Sequence, residues 1–351
     1  MNILLLGDAS NYYASLVPAI MAQGHSVTLA SDGGAWMATM RHIDLSRSPS
    51  PLGGARLYWR LLHQNELSRG YDAVFLCDTS FVKLRPARQT EVFNRLRRRN
   101  GKIFLTALGT NSLYVSNLTG PNPALPFSEF QSPWGVASKH AWLTREQLDY
   151  SRYLYENVDG IVSALYEYHV VAQAEVPGQK IVYAGIATPP VEQVHRPQSD
   201  AVRIVAAFHP GREAEKGMDV LLPMIYRLMR EYPQPIQLTS ASGIPFDEFR
   251  RRIAMADVVV DQYYAMSPAT TALMAMGAGA VPVTGGHPDW LRFIGTQSAP
   301  LIATDPRDPE LTYQNIRSAM DSLDALQART KAFTALNDPG IVAARILSIL
   351  D

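Results

Sequence analysis

The sequence has little cysteine, no net charge and no long hydrophobic run. Its 351 residues include a single cysteine, Cys77, which excludes an internal disulfide and a cysteine-based metal cluster. Cys77 lies in the apolar run DAVFLCD, so we expect a small buried side chain in a protein of a reducing compartment. Lysine plus arginine and aspartate plus glutamate each number 32, so no global field favours nucleic acid as a partner.

The chain also has few features that would direct it to a membrane. The opening MNILLLGD is shorter than the apolar core of a signal peptide and predicts a first strand, and no apolar stretch approaches about 18 residues. We therefore expect a cytoplasmic protein. One basic segment, 84–102, contains the predicted Arg85–Arg99 helix with an apolar stripe. It could rest on the inner face of a membrane, or it could be a solvated helix face.

Three common catalytic signatures are absent. The loop GDASNYY after the first strand lacks the GxGxxG pattern of dinucleotide-binding enzymes, which argues against a nicotinamide-dependent dehydrogenase. No GxSxG sequence is present, so a serine hydrolase is not indicated. The eight histidines show no metal-ligand spacing, so we expect no bound metal.

Short apolar runs alternate with helical patterns in two successive series. The first series lies at 2–8, 26–31, 72–78, 102–109, 160–164 and 180–186, and the second at 202–210, 236–242, 257–263, 280–286 and 300–304. Such runs are typical of parallel sheets covered on both faces. We predict an α/β protein of two Rossmann-like, doubly wound parallel-sheet domains facing a cleft.

The predicted domain boundaries follow from composition. The N-terminal domain spans 1–188, a proline-containing linker spans 189–201, the C-terminal domain spans 202–337, and a last helix spans 338–351. Within the first domain, residues 110–150 are aromatic and poor in β periodicity, and we interpret them as a long loop that acts as a lid on the acceptor side.

The first candidate site is FHPGREAEKGMD, at 208–219. Here a strand ends, Gly211 begins a polar loop that presents Arg212 and Lys216, and Gly217 precedes a helix. Two cations beside free helix N–H groups are suited to a diphosphate. The alternative is a solvated run of charges at the start of a helix.

The second candidate site follows a strand within 257–286. Ser267 can cap a helix whose first residue is Pro268, and the amides around Ala269, Thr270 and Thr271 would then face phosphate or sugar oxygens. An ordinary capped core helix accounts for the same residues.

Four polar residues at predicted strand ends are further candidates. Asp261 and Gln262 end a very apolar strand and could contact the donor or could cap the turn. On the acceptor side, Asp8 is a base or a helix N-cap, and Asn111 could bind sugar hydroxyls or form a plain turn.

The motifs of the second half resemble the donor domain of GT-B glycosyltransferases, in particular retaining family 4. The resemblance rests on the GR…EKG…D…LL run and on LMAMGAGAVPVTGG, which stand in the order of the family and at about its spacing. It implies metal-independent transfer of a hexosyl or pentosyl group from a nucleoside diphosphate sugar to a carbohydrate or lipid-linked acceptor. It also implies that Arg212 and Lys216 hold the diphosphate and that Ser267 to Thr271 face it.

The sequence departs from the family at two positions. The family commonly has two glutamates that contact the donor, and Met266 and Met274 stand there instead. A thioether is only a weak hydrogen-bond acceptor, so donor recognition is rebuilt elsewhere or lost. Two other functions therefore stay open: a degenerate scaffold subunit that binds sugar nucleotides, and a sugar-nucleotide epimerase.

Overall fold

The computed structural model describes residues 1–34, 37–188, 191 and 199–351. They form two compact units. The first comprises Met1–Ala124, Lys139–Ala187 and Pro339–Asp351, and the second comprises Leu125–Ser138 and Thr188–Asp338. Most of the predicted linker, 189–201, lies outside the described residues.

The first unit contains a seven-stranded sheet in the order β3-β2-β1-β4-β5-β6-β7, in which every pair is parallel. The strands are β1 (Asn2–Leu6), β2 (Ser26–Ser31), β3 (Ile43–Asp44), β4 (Ala73–Cys77), β5 (Lys102–Ala107), β6 (Gly160–Ser163) and β7 (Ile181–Tyr183). All five residues of β4 are buried, as a parallel sheet covered on both faces requires. Cys77 is buried and free, as expected.

Seven helices belong to the described part of the first unit. They are α1 (Tyr12–Ala22), α2 (Pro51–His63), α3 (Pro86–Arg99), α4 (Ser112–Thr119), α6 (Arg145–Asn157), α7 (Tyr166–Glu175) and α14 (Pro339–Leu347). The arginine-rich helix α3 buries Val92, Phe93 and Leu96 in the core of this unit. The core therefore occupies its apolar stripe, so of the two alternatives, membrane contact and a solvated helix face, the first would have to rest on the exposed arginines alone.

The second unit contains a five-stranded parallel sheet in the order β12-β11-β10-β8-β9. The strands are β8 (Val202–Ala207), β9 (Ile236–Ala241), β10 (Val258–Val260), β11 (Val281–Gly285) and β12 (Ile302–Thr304). Its helices are α5 (Pro133–Ser138), α8 (Met218–Glu231), α9 (Phe246–Met255), α10 (Thr270–Gly277), α11 (Pro288–Phe293), α12 (Pro309–Asp321) and α13 (Leu323–Thr334). The prediction of two doubly wound parallel-sheet units is confirmed.

Residues 110–150 are not the long loop expected from their composition. They contain α4, α5 and the beginning of α6, and Leu125–Ser138 belongs to the second unit. Phe127 explains part of this assignment, because its ring lies 5.6 Å from the ring of His287 and the guanidinium of Arg307 lies 5.5 Å from its centroid. Aromatic contacts of this kind pair residues far apart in sequence.

Among the described residues, the run Leu323–Leu350 is long and apolar enough to cross a membrane by length and composition alone. The structure divides this run between α13, whose Leu323 and Leu326 pack against the core of the second unit, and α14, which buries Val342 and Ile346 in the first. Its apolar residues therefore contribute to two separate cores.

Candidate functional site

The first candidate site follows β8, which lies next to β10 in the second sheet. The switch point of that sheet is between β8 and β10. From β8 the chain continues to β9 on one side, then returns to the other side to form β10, β11 and β12. In open α/β sheets, ligands bind outside the carboxyl ends of the strands at such a point. The loops at 208–217 and 261–269 begin there.

An ion pair joins these two loops. The Nζ atom of Lys216 lies 2.6 Å from Oδ1 of Asp261, and the side chains are 17% and 0% exposed. The backbone N–H of Tyr263 also donates to the carbonyl of Lys216 over 2.9 Å. The structure thus brings together two of the candidate residues, which are 45 positions apart in sequence.

Gly217 makes this close approach possible. Its φ of 71° lies in the left-handed region, and a Cβ at this position would lie 2.4 Å from the Cβ of Tyr263. Gly217 is the N-cap of α8, as the sequence indicated. The N–H of Met218, however, donates to the carbonyl of Glu213 over 2.9 Å, so this first amide of α8 is not available to a phosphate. An anion at this loop would therefore be bound by the side-chain cations and not by the first amide of α8.

Only half of the Asp261 carboxylate has a hydrogen-bond partner. Oδ1 accepts from Lys216, whereas Oδ2 is buried without a partner among the described residues. The hydroxyl of Thr284, on the neighbouring strand β11, is also buried without a described partner. Leaving a buried polar atom unpaired costs about 1–3 kcal/mol, so each of these two atoms needs a hydrogen-bond partner other than the described protein groups.

Arg212 is placed differently from Lys216. Its side chain is 54% exposed and forms an ion pair with Glu215 on the same loop. Gly211, with a φ of 81°, is exposed and allows the loop to turn. The structure therefore keeps Arg212 on the candidate loop without placing it in the ion pair at the switch point.

The helix after β10 begins two residues later than predicted. It starts at Thr270 with Ala269 as its N-cap, and no side chain caps it, so Ser267 is not the cap and Pro268 is not its first residue. The reason is a close contact with β11: a Cβ on Gly285 would lie 2.3 Å from the carbonyl oxygen of Ala265. Glycine therefore lets the preceding segment approach the end of β11, where the N–H of His287 donates to the carbonyl of Met266 over 3.0 Å. Ser267 and Pro268 are buried, and Thr271 is half-buried.

Met266 and Met274, which stand where the resembled family commonly has glutamates, are both core residues. Met266 is 0% exposed and Met274 is 2% exposed, and Met274 packs in an apolar cluster of the second unit. Gln262 is half-buried directly after Asp261, and its backbone N–H points to the carbonyl of Val283 over 3.4 Å. Asp261 is thus the buried acidic group next to Lys216.

The acceptor-side candidates lie at the carboxyl edge of the first sheet, whose switch point is between β1 and β4. The N-cap residue of α1 is Asn11, so Asp8 is not the N-cap, but its carboxylate accepts from the backbone N–H groups of Tyr13 (2.9 Å) and Ala14 (3.3 Å) in the first turn of that helix. Burial raises its pKa to about 6, because the charged form is poorly solvated there.

Asn111 is buried and serves the fold. Its side-chain oxygen caps α4 by accepting from Tyr114, and its amide donates to Oδ1 of Asp78 over 3.0 Å. The sequence left open whether Asn111 binds sugar hydroxyls or forms a plain turn; in the structure it is the N-cap of α4, and these contacts occupy its side-chain oxygen and amide.

Sequence reasoning missed Asp78. This buried residue follows β4 with a φ of 57° and accepts from the backbone N–H of Gly109 over 2.6 Å. Burial raises the pKa of its carboxyl group. Asp78, Asp8, Asp32 and Lys83 line a cavity of about 110 Å³ at the switch point of the first sheet. The signal was present, since Asp78 directly follows a strand as Asp261 does.

In the described part of the chain, no group of three or more histidine, cysteine, aspartate or glutamate side chains is arranged to hold a metal ion. The expected absence of a metal stays a prediction.

Comparison with known proteins shows the fold. No family model matches the chain, and no curated protein matches its sequence. Among solved structures, the chain resembles sucrose-phosphate synthase from Thermosynechococcus elongatus, with a TM-score of 0.66, 14% identity, and coverage of 100% of this chain and 98% of that one. It also resembles HepE of Anabaena in complex with UDP-glucose, with a TM-score of 0.62, 10% identity, and coverage of 100% and 99%.

A third similar structure belongs to an enzyme of a different activity. It is UDP-GlcNAc 2-epimerase from Neisseria meningitidis bound to UDP-GlcNAc, with a TM-score of 0.53, 10% identity, and coverage of 100% and 99%. The predicted GT-B fold is confirmed by these likenesses. The solved structures that share it include both glycosyltransferases and UDP-sugar epimerases.

Proposed function

We propose that this chain binds a nucleoside diphosphate sugar at the switch point of its second sheet and transfers the sugar to a carbohydrate or lipid-linked acceptor. The observation that carries this proposal is Lys216, a half-buried cation held at the carboxyl edge of that sheet directly before α8. A fixed positive charge beside the positive end of a helix dipole favours a diphosphate. The likeness to a structure containing UDP-glucose supports the same ligand class.

In the proposed reaction, Lys216 stabilises the negative charge that develops on the leaving diphosphate. Arg212, exposed on the same loop, adds a second positive charge when the ligand arrives. We propose retention of configuration, with the departing phosphate accepting the proton of the acceptor hydroxyl, so the protein contributes positioning and charge stabilisation. Polysaccharide biosynthesis in the cytoplasm, without a resident metal, is the setting that fits this proposal.

A sugar-nucleotide epimerase is the second candidate, favoured by one observation. Asp8 has a pKa of about 6 beside a cavity at the switch point of the first sheet, and a carboxyl group with a pKa near neutrality can exchange protons with a substrate. A binding scaffold is the third candidate, because Met266 and Met274 are both in the core.

Product analysis separates the three functions. Purified protein is incubated with UDP-glucose or UDP-GlcNAc, with and without a panel of sugar acceptors, and products are followed by nuclear magnetic resonance. Glycosylated acceptor and free UDP support the transferase. A changed ring configuration without free UDP supports the epimerase. Binding of the nucleotide sugar without any turnover leaves the scaffold.

A further inference from the structure

Asp261 is a buried acidic group with an unsatisfied oxygen at the proposed donor site. Its side chain is 0% exposed, and Oδ1 faces the switch point because it accepts from Lys216 over 2.6 Å. Oδ2 of the same carboxylate has no partner among the described residues. A buried carboxylate is stabilised only when its oxygens accept hydrogen bonds, so Oδ2 needs a donor from outside the described protein groups.

Thr284 provides a second polar atom next to Asp261. The ladder between β10 and β11 pairs Val260 with Val283, and the N–H of Asp261 donates to the carbonyl of Val283 over 3.0 Å. Asp261 directly follows the last paired residue of β10, and this hydrogen bond holds its backbone beside Val283, the residue before Thr284. If the register extended by one residue, Asp261 would face Thr284 on the same side of the sheet. The Thr284 hydroxyl is fully buried and also without a described partner.

These atoms define the chemistry of the missing partner. A carboxylate oxygen accepts but does not donate, whereas a threonine hydroxyl can do both. Both atoms are closed to solvent in this structure, so a sugar hydroxyl reaches them only once Lys216 has moved away from Asp261. It can then donate to Asp261 and accept from Thr284. An anion beside Asp261 is repelled, but an anion beside Lys216 is attracted. Lys216 on one side and Asp261 with Thr284 on the other thus fit a ligand in which a diphosphate is linked to a hydroxylated ring.

We propose that Asp261, with Thr284, binds a ring hydroxyl of the nucleoside diphosphate sugar, replacing the acidic contacts that Met266 and Met274 cannot make. This inference rests on the proposed function. The hydroxyl belongs either to the donor sugar or to the ribose, since both rings adjoin the diphosphate. When the ligand binds, Lys216 leaves Asp261 and pairs with the diphosphate. The freed Asp261 carboxylate repels a bare anion but accepts from a ring hydroxyl, so it favours ligands that carry a hydroxylated ring.

The test compares three ligand types by calorimetry. They are inorganic pyrophosphate, the diphosphates of uridine, guanosine and adenosine, and the matching glucose conjugates. In Asp261→Asn the affinity for pyrophosphate should hold or rise, because a negative charge is removed beside Lys216. The affinity for the glucose conjugate should fall about tenfold relative to pyrophosphate, since a charge-assisted hydrogen bond becomes a neutral one. Thr284→Val should also lower the affinity for the glucose conjugate relative to that for pyrophosphate.

The ligand that changes identifies the ring. A loss confined to the glucose conjugate assigns the donor sugar, and an equal loss for diphosphate and conjugate assigns the ribose. The matched control is Thr304→Val, because Thr304 is also buried with an unpartnered hydroxyl but lies opposite Gly285 on β12. It should leave the ratio unchanged.

Two other outcomes overturn the inference in distinguishable ways. If Asp261→Asn and Thr284→Val shift all three ligand types by the same factor, the hydroxyl contact is wrong while the diphosphate site stands. If the wild-type protein binds none of these ligands, the proposed function is wrong and this inference falls with it. Because Thr284→Val is nearly isosteric, it keeps the test decisive even where Asp261→Asn fails to fold.

Discussion

Lys216 and Asp261 differ in burial although they form one ion pair. Asp261 is 0% exposed, whereas Lys216 is 17% exposed and its ammonium can reach water when its partner is removed. Breaking a buried pair is destabilising mainly through the charge that is left without compensation. The two halves of the pair are therefore unequal for stability.

We expect Lys216→Met to lower the free energy of unfolding by about 3–5 kcal/mol, because it leaves the Asp261 carboxylate buried without its cation. Asp261→Asn should lower it by less, since the remaining cation is partly solvated. Urea unfolding of both variants measures the difference. If both variants lose the same free energy of unfolding, or if Asp261→Asn loses more, Asp261 is not the more deeply buried charge of the pair.

The Asp8 carboxyl predicts a pH dependence of stability. Its pKa rises from an ordinary 3.8 to about 6 through burial, so the folded protein holds a proton over a range where the unfolded chain releases it. Stability contributed by this group is present below pH 4 and is lost as pH rises to about 6, by roughly 3 kcal/mol for a shift of this size.

Asp8→Asn should remove this loss, so its free energy of unfolding should fall less than that of the wild type between pH 4 and pH 6. The control is Asp44→Asn. The pKa of Asp44 is lowered to about 2, chiefly by its hydrogen bonds with Ser46, so its contribution is lost only as pH falls below about 4. Parallel curves for Asp8→Asn and wild type would show that Asp8 is not protonated on folding.

The sequence identified most polar residues of the site but not their contacts. Lys216 and Asp261 were both candidates because each follows a strand, yet nothing in their spacing reveals that they touch. Asn111 was left open between binding sugar hydroxyls and forming a plain turn, because its cap of α4 and its hydrogen bond to Asp78 depend on tertiary packing. Local patterns locate polar residues, and only packing decides their partners.

At the scale of elements, the loop between β8 and α8 depends on two glycines with positive φ in different surroundings. Gly211 has open space around its Cβ position, whereas a Cβ on Gly217 would overlap Tyr263. We expect Gly211→Ala to cost about 1–2 kcal/mol through backbone strain alone. Gly217→Ala should cost clearly more, because it adds a clash that separates the loop from the segment after β10. Equal free energies of unfolding for the two variants would show that this contact is not needed.

Strands were predicted well because a short, continuous apolar run between two helical patterns fits a buried parallel strand and few other elements. The short edge strand β3 was missed, since two residues, Ile43 and Asp44, carry no periodicity. The start of α10 was misplaced because Ser267 and Pro268 form a good capping sequence, but Gly285 allows that segment to pack closely against β11. Tertiary contact therefore overrode a correct local preference.

At the scale of the whole molecule, the last helix belongs to the first unit although it follows the second in sequence. Gly340 accepts from the side chain of Gln23 over 3.0 Å, and α14 packs against α1. The sequence predicted a packing helix at 338–351 but could not indicate which core it joins, because an apolar stripe fits many surfaces.

We expect Ile346→Ala to destabilise the first unit by about 2–5 kcal/mol, since Ile346 is 1% exposed and its removal leaves a cavity. Hydrogen exchange should then accelerate in β1 and α1 more than in β8 and β10. Ile341→Ala is the matched control, because Ile341 on the same helix is 42% exposed. Faster exchange confined to the second unit would contradict the assignment of α14.

The most direct measurement of the central claim is calorimetry of a nucleoside diphosphate and its bare nucleoside with wild type and Lys216→Met. Loss of a charge-assisted contact to phosphate should weaken diphosphate binding by about 10- to 100-fold and leave any nucleoside binding unchanged. Lys102→Met, at the amino end of β5, is the control and should bind as the wild type does. Unchanged diphosphate affinity in folded Lys216→Met would contradict a donor site at the switch point of the second sheet.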